Sequence, residues 1–118
     1  MAVLVAVTDS DEGRHALREA VTEASAMDTD VIAVNLTLGS LDLSAVATDV
    51  PVRVIDRVGR EDRDPVVAVI DEIEAHPEVT RLVIGIKKRS RVGKALLGST
   101  SQRLLMTSPV PVLTVRPT

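Results

Sequence analysis

The sequence predicts a single α/β domain over residues 1–118, built as a doubly wound parallel sheet of five strands. Two observations carry this. Short runs of β-forming aliphatic residues alternate along the chain with amphipathic or cap-started helical segments, the pattern of consecutive βαβ units. The first run, Val3-Leu4-Val5-Ala6-Val7, is apolar without alternation, as a central parallel strand covered on both faces must be. A chain of 118 residues accommodates one ordinary domain and not two.

Each element follows from local chemistry. After the first strand, Thr8-Asp9-Ser10-Asp11 supplies cap chemistry. Ser10 or Asp9 can accept from free helix N–H groups, and Asp11 and Glu12 suit the positive end of the dipole. Ala16, Leu17, Ala20, Val21 and Ala24 recur at spacings of three and four, which predicts a helix to about Met27. Val31 to Leu38 reads as the second strand. Gly39 to Asp49 is weakly periodic, with room for one or two helical turns. Pro51 to Ile55 reads as a third strand, and Arg53 in its middle points to an edge. Asp64-Pro65 starts a helix, with Val66, Val67, Val69, Ile70 and Ile73 as its apolar face and an end near His76-Pro77. Arg81 to Ile84 is a fourth strand, stopped by Gly85. A basic loop leads to a helix from Gly98-Ser99 that carries Leu104, Leu105 and Met106. Pro109 to Val115 closes the series as a strand at or near an edge, because its prolines cannot donate to a ladder.

Composition narrows the function. Fourteen Lys and Arg against seventeen Asp and Glu leave a charge of −3, the wrong sign for bulk binding to nucleic acid or anionic lipid. The absence of cysteine excludes disulfides, thiolate metal sites and cysteine nucleophiles. His15 and His76 are too few and too far apart to suggest a metal site. Without Phe, Tyr or Trp, no ring can stack on a base. Met1 to Val7 lacks a basic flank and is too short for a signal peptide or a membrane span, so the protein is expected in the cytoplasm.

In a doubly wound sheet, ligands bind beyond the carboxyl ends of the strands, where strand order reverses. Residues 8–11, 36–39 and 85–100 fall there. The third segment is unusual. Lys87, Lys88, Arg89, Arg91 and Lys94 put five cations and no acid between Gly85 and Lys94; without them the net charge of −3 becomes −8. Gly98-Ser99-Thr100-Ser101 then opens a helix, where free N–H groups, hydroxyls and the dipole favour an anion. Taken alone, such a charge run reads more simply as a solvated loop, and Ser99 as a cap.

The glycine spacing alters that balance. A strand, Gly85, a basic loop, Gly98-Ser99, a helix and the Pro109-Val110-Pro111-Val112-Leu113 strand together resemble the universal stress protein family. Its signature is Gly, two residues, Gly, nine residues, then Gly with Ser or Thr. Gly85 and Gly98-Ser99 take the outer positions, and Lys88 stands at the middle glycine. Val5-Ala6-Val7-Thr8-Asp9-Ser10 followed by Ala16-Leu17 is similar to the family's first strand and turn, one residue short; the segment after the second strand is also short. The resemblance implies the family's fold, akin to adenine nucleotide alpha hydrolases, with strand order 3-2-1-4-5. It implies ATP or a related adenine nucleotide, with Mg, across the switch point. Asp9 would then face the nucleoside, Leu36 would offer backbone groups to the adenine, and Gly85, Gly98, Ser99 and Thr100 would surround the phosphates, with Lys88 supplying charge. It further implies a stress-response role and a homodimer through the last strand, Val110 to Val115. The family also contains nucleotide-free dimeric regulatory modules, which form the second expectation.

No enzyme is expected. Ser90 and Ser99 have no evident His partner, and no side chain is placed to orient water on a phosphate. Asp71, Glu72 and Glu74 read as a solvated helix face, His15 as a surface residue, and His76 as a partner for its helix C-terminus. A phosphoacceptor receiver domain has the same sheet type, and Asp9, Asp11 and Asp56 could fill its acidic roles. It also needs a lysine after strand five, where this chain has Val115-Arg116-Pro117-Thr118.

Overall fold

The computed structural model describes residues 1–44, 46, 50–56, 64–87 and 98–116. Among them are five strands, β1 (Ala2–Val7), β2 (Asp30–Asn35), β3 (Val52–Asp56), β4 (Val79–Gly85) and β5 (Val112–Val115), and three helices, α1 (Asp11–Ala26), α2 (Pro65–Ala75) and α3 (Ser99–Thr107). The strands form one parallel sheet in the order β3-β2-β1-β4-β5. This is the predicted fold class and strand order. The order reverses between β1 and β4, so the switch point lies at the carboxyl ends of those two strands.

The sheet separates two aliphatic layers. On one face, Val3, Val5, Val7, Val31, Ala33 and Val83 pack against Ala16, Leu17, Ala20, Val21 and Ala24 of α1. On the other, Leu4, Ala6, Ile32, Val34, Leu82 and Ile84 pack against Val66, Val69 and Ile73 of α2 and Leu104 of α3. All six residues of β1 are buried, as its unbroken apolar run requires.

The helix ends match their sequence signals. Ser10, not Asp9, is the α1 cap: its Oγ accepts from the Gly13 N–H at 3.1 Å. Asp64 caps α2 by accepting from the Val66 N–H at 2.8 Å, with Pro65 in the first turn. At the end of α1, the Thr29 N–H reaches the Ala24 carbonyl and the Asp28 N–H reaches that of Ser25, with Asp28 at φ 53°. That is a Schellman turn with aspartate in the place glycine usually takes. His76 Nδ1 lies 2.8 Å from the Glu72 carbonyl, the helix-end contact expected of it.

Several expectations needed correction. β2 stops at Asn35 rather than Leu38, because the Asn35 side chain accepts from the Thr37 N–H and turns the chain. β4 begins two residues before Arg81. There Val79 pairs with Ala2, a partner invisible in the charged sequence around it. β5 begins only at Val112, after both prolines. Val67, expected on the apolar face of α2, is exposed, as are Leu105 and Met106 of α3; Val66, Val69, Ile70 and Leu104 reach the core from those turns. The His15 side chain is only 13% exposed, held between Arg18 and Glu19 rather than in open solvent. Of the segment 39–49, residues 39–44 form no helical turn, and residues 45 and 47–49 lie outside the described residues. Leu41, Leu43 and Val46 pack against the α1-side layer, as do Val52 and Val54 of β3.

α2 and α3 are tied by charge. Arg103 donates to both carboxylate oxygens of Asp64, at 3.2 and 3.0 Å. The Arg103 bond, followed by the Val66 N–H, holds the Asp64 carboxyl below the usual carboxylate range. A Ser44 hydrogen bond does the same to Asp42. A carboxylate with a depressed folded-state pKa contributes stability above its unfolded value, near 3.9, and that contribution disappears as pH falls through the folded value. Asp64→Asn keeps an N-cap and should flatten the loss of stability below about pH 4, read from urea midpoints between pH 2 and pH 7. An unchanged acid slope would show that the Asp64–Arg103 pair does not contribute.

Candidate functional site

The carboxyl edge of the sheet is built around two close approaches of backbone to backbone. A Cβ on Gly13 would stand 2.2 Å from the Thr8 carbonyl oxygen, and a Cβ on Gly85 would stand 2.2 Å from the Glu12 carbonyl oxygen. The first turn of α1 is thus pressed against the exit of β1 and the end of β4 together. Gly85 is where the sequence put it, but its missing side chain makes room for α1. Its carbonyl is also engaged, accepting from the buried Ser101 Oγ at 3.2 Å.

The two remaining strand-end segments behave differently. Leu36 is buried on the α2 side of the sheet, and its N–H donates to the Val7 carbonyl at 3.0 Å. Asp9 is exposed at the mouth of a cleft of about 280 Å³ on the α1 side. Val7, Leu17 and Leu41 line it together with Arg14, Thr37, Gly39, Ser40 and Asp42. Arg14 lies 3.7 Å from Asp9 and 2.7 Å from Asp11, so its charge is already shared between two carboxylates. Asp9 and the 37–42 turn therefore meet around one cleft, and Gly85, Gly98, Ser99 and Thr100 do not line it.

α3 opens differently from the other helices. Its N-cap is Gly98, which has no side-chain cap bond, whereas Ser10 and Asp64 cap α1 and α2. Ser99 is exposed and Thr100 partly so at this first turn. The Lys87 side chain runs past it, with its Cε 3.5 Å from where a Gly98 Cβ would stand. A helix start with free N–H groups and a cation alongside suits an anion. Lys88, the cation singled out at the middle signature position, lies outside the described residues, as do Arg89, Ser90, Arg91 and Lys94. Among the described residues no group of His, Asp and Glu could hold a metal ion. No described helix is long and apolar enough to cross a membrane.

The sequence reading missed Asn35 and Arg103. Asn35 is fully buried yet polar, and its signal was a lone amide ending the apolar run Val31-Ile32-Ala33-Val34. Arg103 carries no local signal, because its partner Asp64 lies 39 positions away.

Comparison with known proteins agrees with this fold. Residues 44–116 match the profile of the Universal stress protein family. The chain is 33% identical, over 130 aligned residues, to a universal stress protein of Mycolicibacterium smegmatis, covering 98% of this chain and 97% of that one. It is similar in structure to a universal stress protein from Archaeoglobus fulgidus, with a TM-score of 0.72, 24% identity and 97% of each chain covered. A structure of the universal stress protein from Archaeoglobus fulgidus in complex with dAMP matches with a TM-score of 0.65 and 20% identity, covering 97% of this chain and 96% of that one.

The packing of Gly85 gives a direct test. Gly85→Ala forces a methyl into the Glu12 backbone and should destabilise the protein by about 1–3 kcal/mol, measured by urea denaturation. A stability equal to the wild type would mean that α1 does not close on β4 as described.

Proposed function

Because this chain belongs to the universal stress protein family, we propose that it binds ATP or a related adenine nucleotide at the switch point and holds it without efficient hydrolysis. The observation that carries the reading is the start of α3: a helix opened by Gly98 without a side-chain cap, carrying the Ser99 and Thr100 hydroxyls, with Lys87 alongside. The dAMP bound by the Archaeoglobus fulgidus relative supports an adenine nucleotide as the ligand class. In this reading the phosphates lie at Gly98, Ser99 and Thr100, with Lys88 from the basic loop as a further point charge. Leu36 offers its backbone to the base, and Asp9 faces the nucleoside. Gly85 borders the phosphates with Gly98, Ser99 and Thr100, and its missing side chain also lets α1 approach β4. A phosphate-bound Mg ion would add charge neutralisation.

A homodimer through β5 belongs to the same reading. β5 is the sheet edge next to β4, and its Leu113 is 37% exposed while Val115 is already covered by the α1 layer. An unpaired apolar edge is normally paired or covered, and a two-fold axis lets one copy cover the other. A nucleotide-free dimeric module in the cytoplasm is the second reading, favoured by Lys88 at the signature's middle glycine.

Titration calorimetry with MgATP separates the two. The wild type should give saturable heat, and Ser99→Ala should weaken binding about tenfold, the scale of one hydrogen bond to a charged group. No heat and no thermal shift at millimolar MgATP would reject the nucleotide reading. Binding gained only on Lys88→Gly would establish the nucleotide-free one. Light scattering at micromolar concentration should show a dimer, and Leu113→Lys should give a monomer; a monomeric wild type would remove the β5 interface.

A further inference from the structure

We infer that Asn35 is a positioning residue that fixes the chain from Leu36 to Gly39 as the nucleoside-facing wall of the site. The nucleoside half of this inference rests on the function proposed above; the loop half does not.

Asn35 is the last residue of β2, and it is fully buried on the α1 side of the sheet. Its Nδ2 donates to the Gly39 carbonyl at 2.7 Å and to Asp56 Oδ1 at 2.8 Å. Its Oδ1 accepts from the Thr37 N–H at 2.9 Å and from Thr37 Oγ1 at 2.6 Å. One amide thus joins the end of β2, the end of β3 and the turn beyond them. Thr37 Oγ1 also lies 2.9 Å from the Gly39 carbonyl, which closes the turn on itself.

Apolar packing cannot substitute for these bonds. Leu38 is 76% exposed, and Gly39 and Ser40 are exposed as well. Between Leu36, buried on one side of the sheet, and Leu41, packed on the other, the chain is held by hydrogen bonds alone. Thr37, Gly39 and Ser40 line the cleft beside Asp9, and Leu36 is joined directly to this turn. A leucine in place of Asn35 would fill the space and leave the Gly39 carbonyl and Thr37 N–H without this partner.

Asn35→Asp is the informative variant. It keeps the acceptor for Thr37, removes both donors and sets a carboxylate against Asp56 and the Gly39 carbonyl. Hydrogen exchange on the full chain should show the amides of residues 37–40 exchanging at least tenfold faster, with those of α2 and β4 unchanged. AMP binding, read by calorimetry, should weaken about tenfold. Adding Asp56→Asn restores a donor between β2 and β3 and should recover part of both effects, at least threefold in exchange. Where Asn35→Asp does not fold, Thr37→Val opens the same turn from its exposed side and should accelerate the same amides.

Exchange unchanged at 37–40, or accelerated equally across the whole sheet, would overturn the inference. So would AMP affinity unchanged while the turn opens. A wild type that binds neither AMP nor MgATP rejects the proposed function and the nucleoside half together, and the exchange pattern then decides the loop half by itself.

Discussion

The approach of α1 to the ends of β1 and β4 is the constraint on which the rest of the edge depends. Glu12 and Gly13 are adjacent in the first turn of α1, and their two contacts clamp it: Gly13 against Thr8, and the Glu12 carbonyl against Gly85. Neither gap admits a methyl group. With α1 fixed there, the helix lies across β1, β2, β4 and β5. The helices that follow β1 and β4, α1 and α3, pack on opposite faces of the sheet, as they do at a switch point. Ser101 holds the far side of this arrangement by donating to the Gly85 carbonyl from α3. The same glycine therefore receives α1 on one face and α3 on the other.

Coverage of the two faces is unequal, and the chain compensates with different means. Among the described helices α1 alone packs on the first face, and Leu41, Leu43, Val46 and Val50 add to its cover. On the second face α2 and α3 share the work, and the paired Asp64 and Arg103 hold them together at their rim. That pair is exposed, so screening keeps its worth small beside the burial of Leu104 and Val69. Its use is geometric: Asp64 is at once the α2 cap and the anchor for α3, so the start of one helix positions the other. Glu23 and Arg81 make a comparable tie between α1 and β4 at the opposite edge of the sheet.

The sequence made legible whatever depends on local periodicity and caps. The apolar run of β1, the spacing in α1 and the Asp64-Pro65 start each appear in the structure at or within a residue of the expected place. Strand order needed the family resemblance, because nothing local distinguishes β4 from β3 as the neighbour of β1. The misplacements have different causes. Val79 pairs with Ala2, far away in sequence, whereas β2 ends on a local bond from the Thr37 N–H to the Asn35 side chain. Val67, Leu105 and Met106 are apolar but face outwards, since a helix on a two-layer sheet buries a stripe and not every apolar residue it carries. Gly85 was found for its spacing, and the structure adds a packing reason for its absent side chain, the approach of α1. A glycine that lets backbone meet backbone looks the same in sequence as one that lets backbone meet phosphate.

The absence of aromatic rings gives the carboxyl edge its character. A base held without stacking has to be recognised by hydrogen-bonding groups in fixed positions, because aliphatic walls exclude water but do not discriminate between bases. Fixed positions are costly at strand ends, where ladder bonds run out and loops take over. In this chain the cost is met with side chains that bind backbone: Ser10 at α1, Ser101 at Gly85, Asp64 at α2 and Asn35 at the β2 turn. Each is a small polar residue placed directly at the end of an apolar strand or at the start of a helix. The aliphatic core fixes the sheet, and these few polar groups transfer its rigidity to the loops where recognition has to happen.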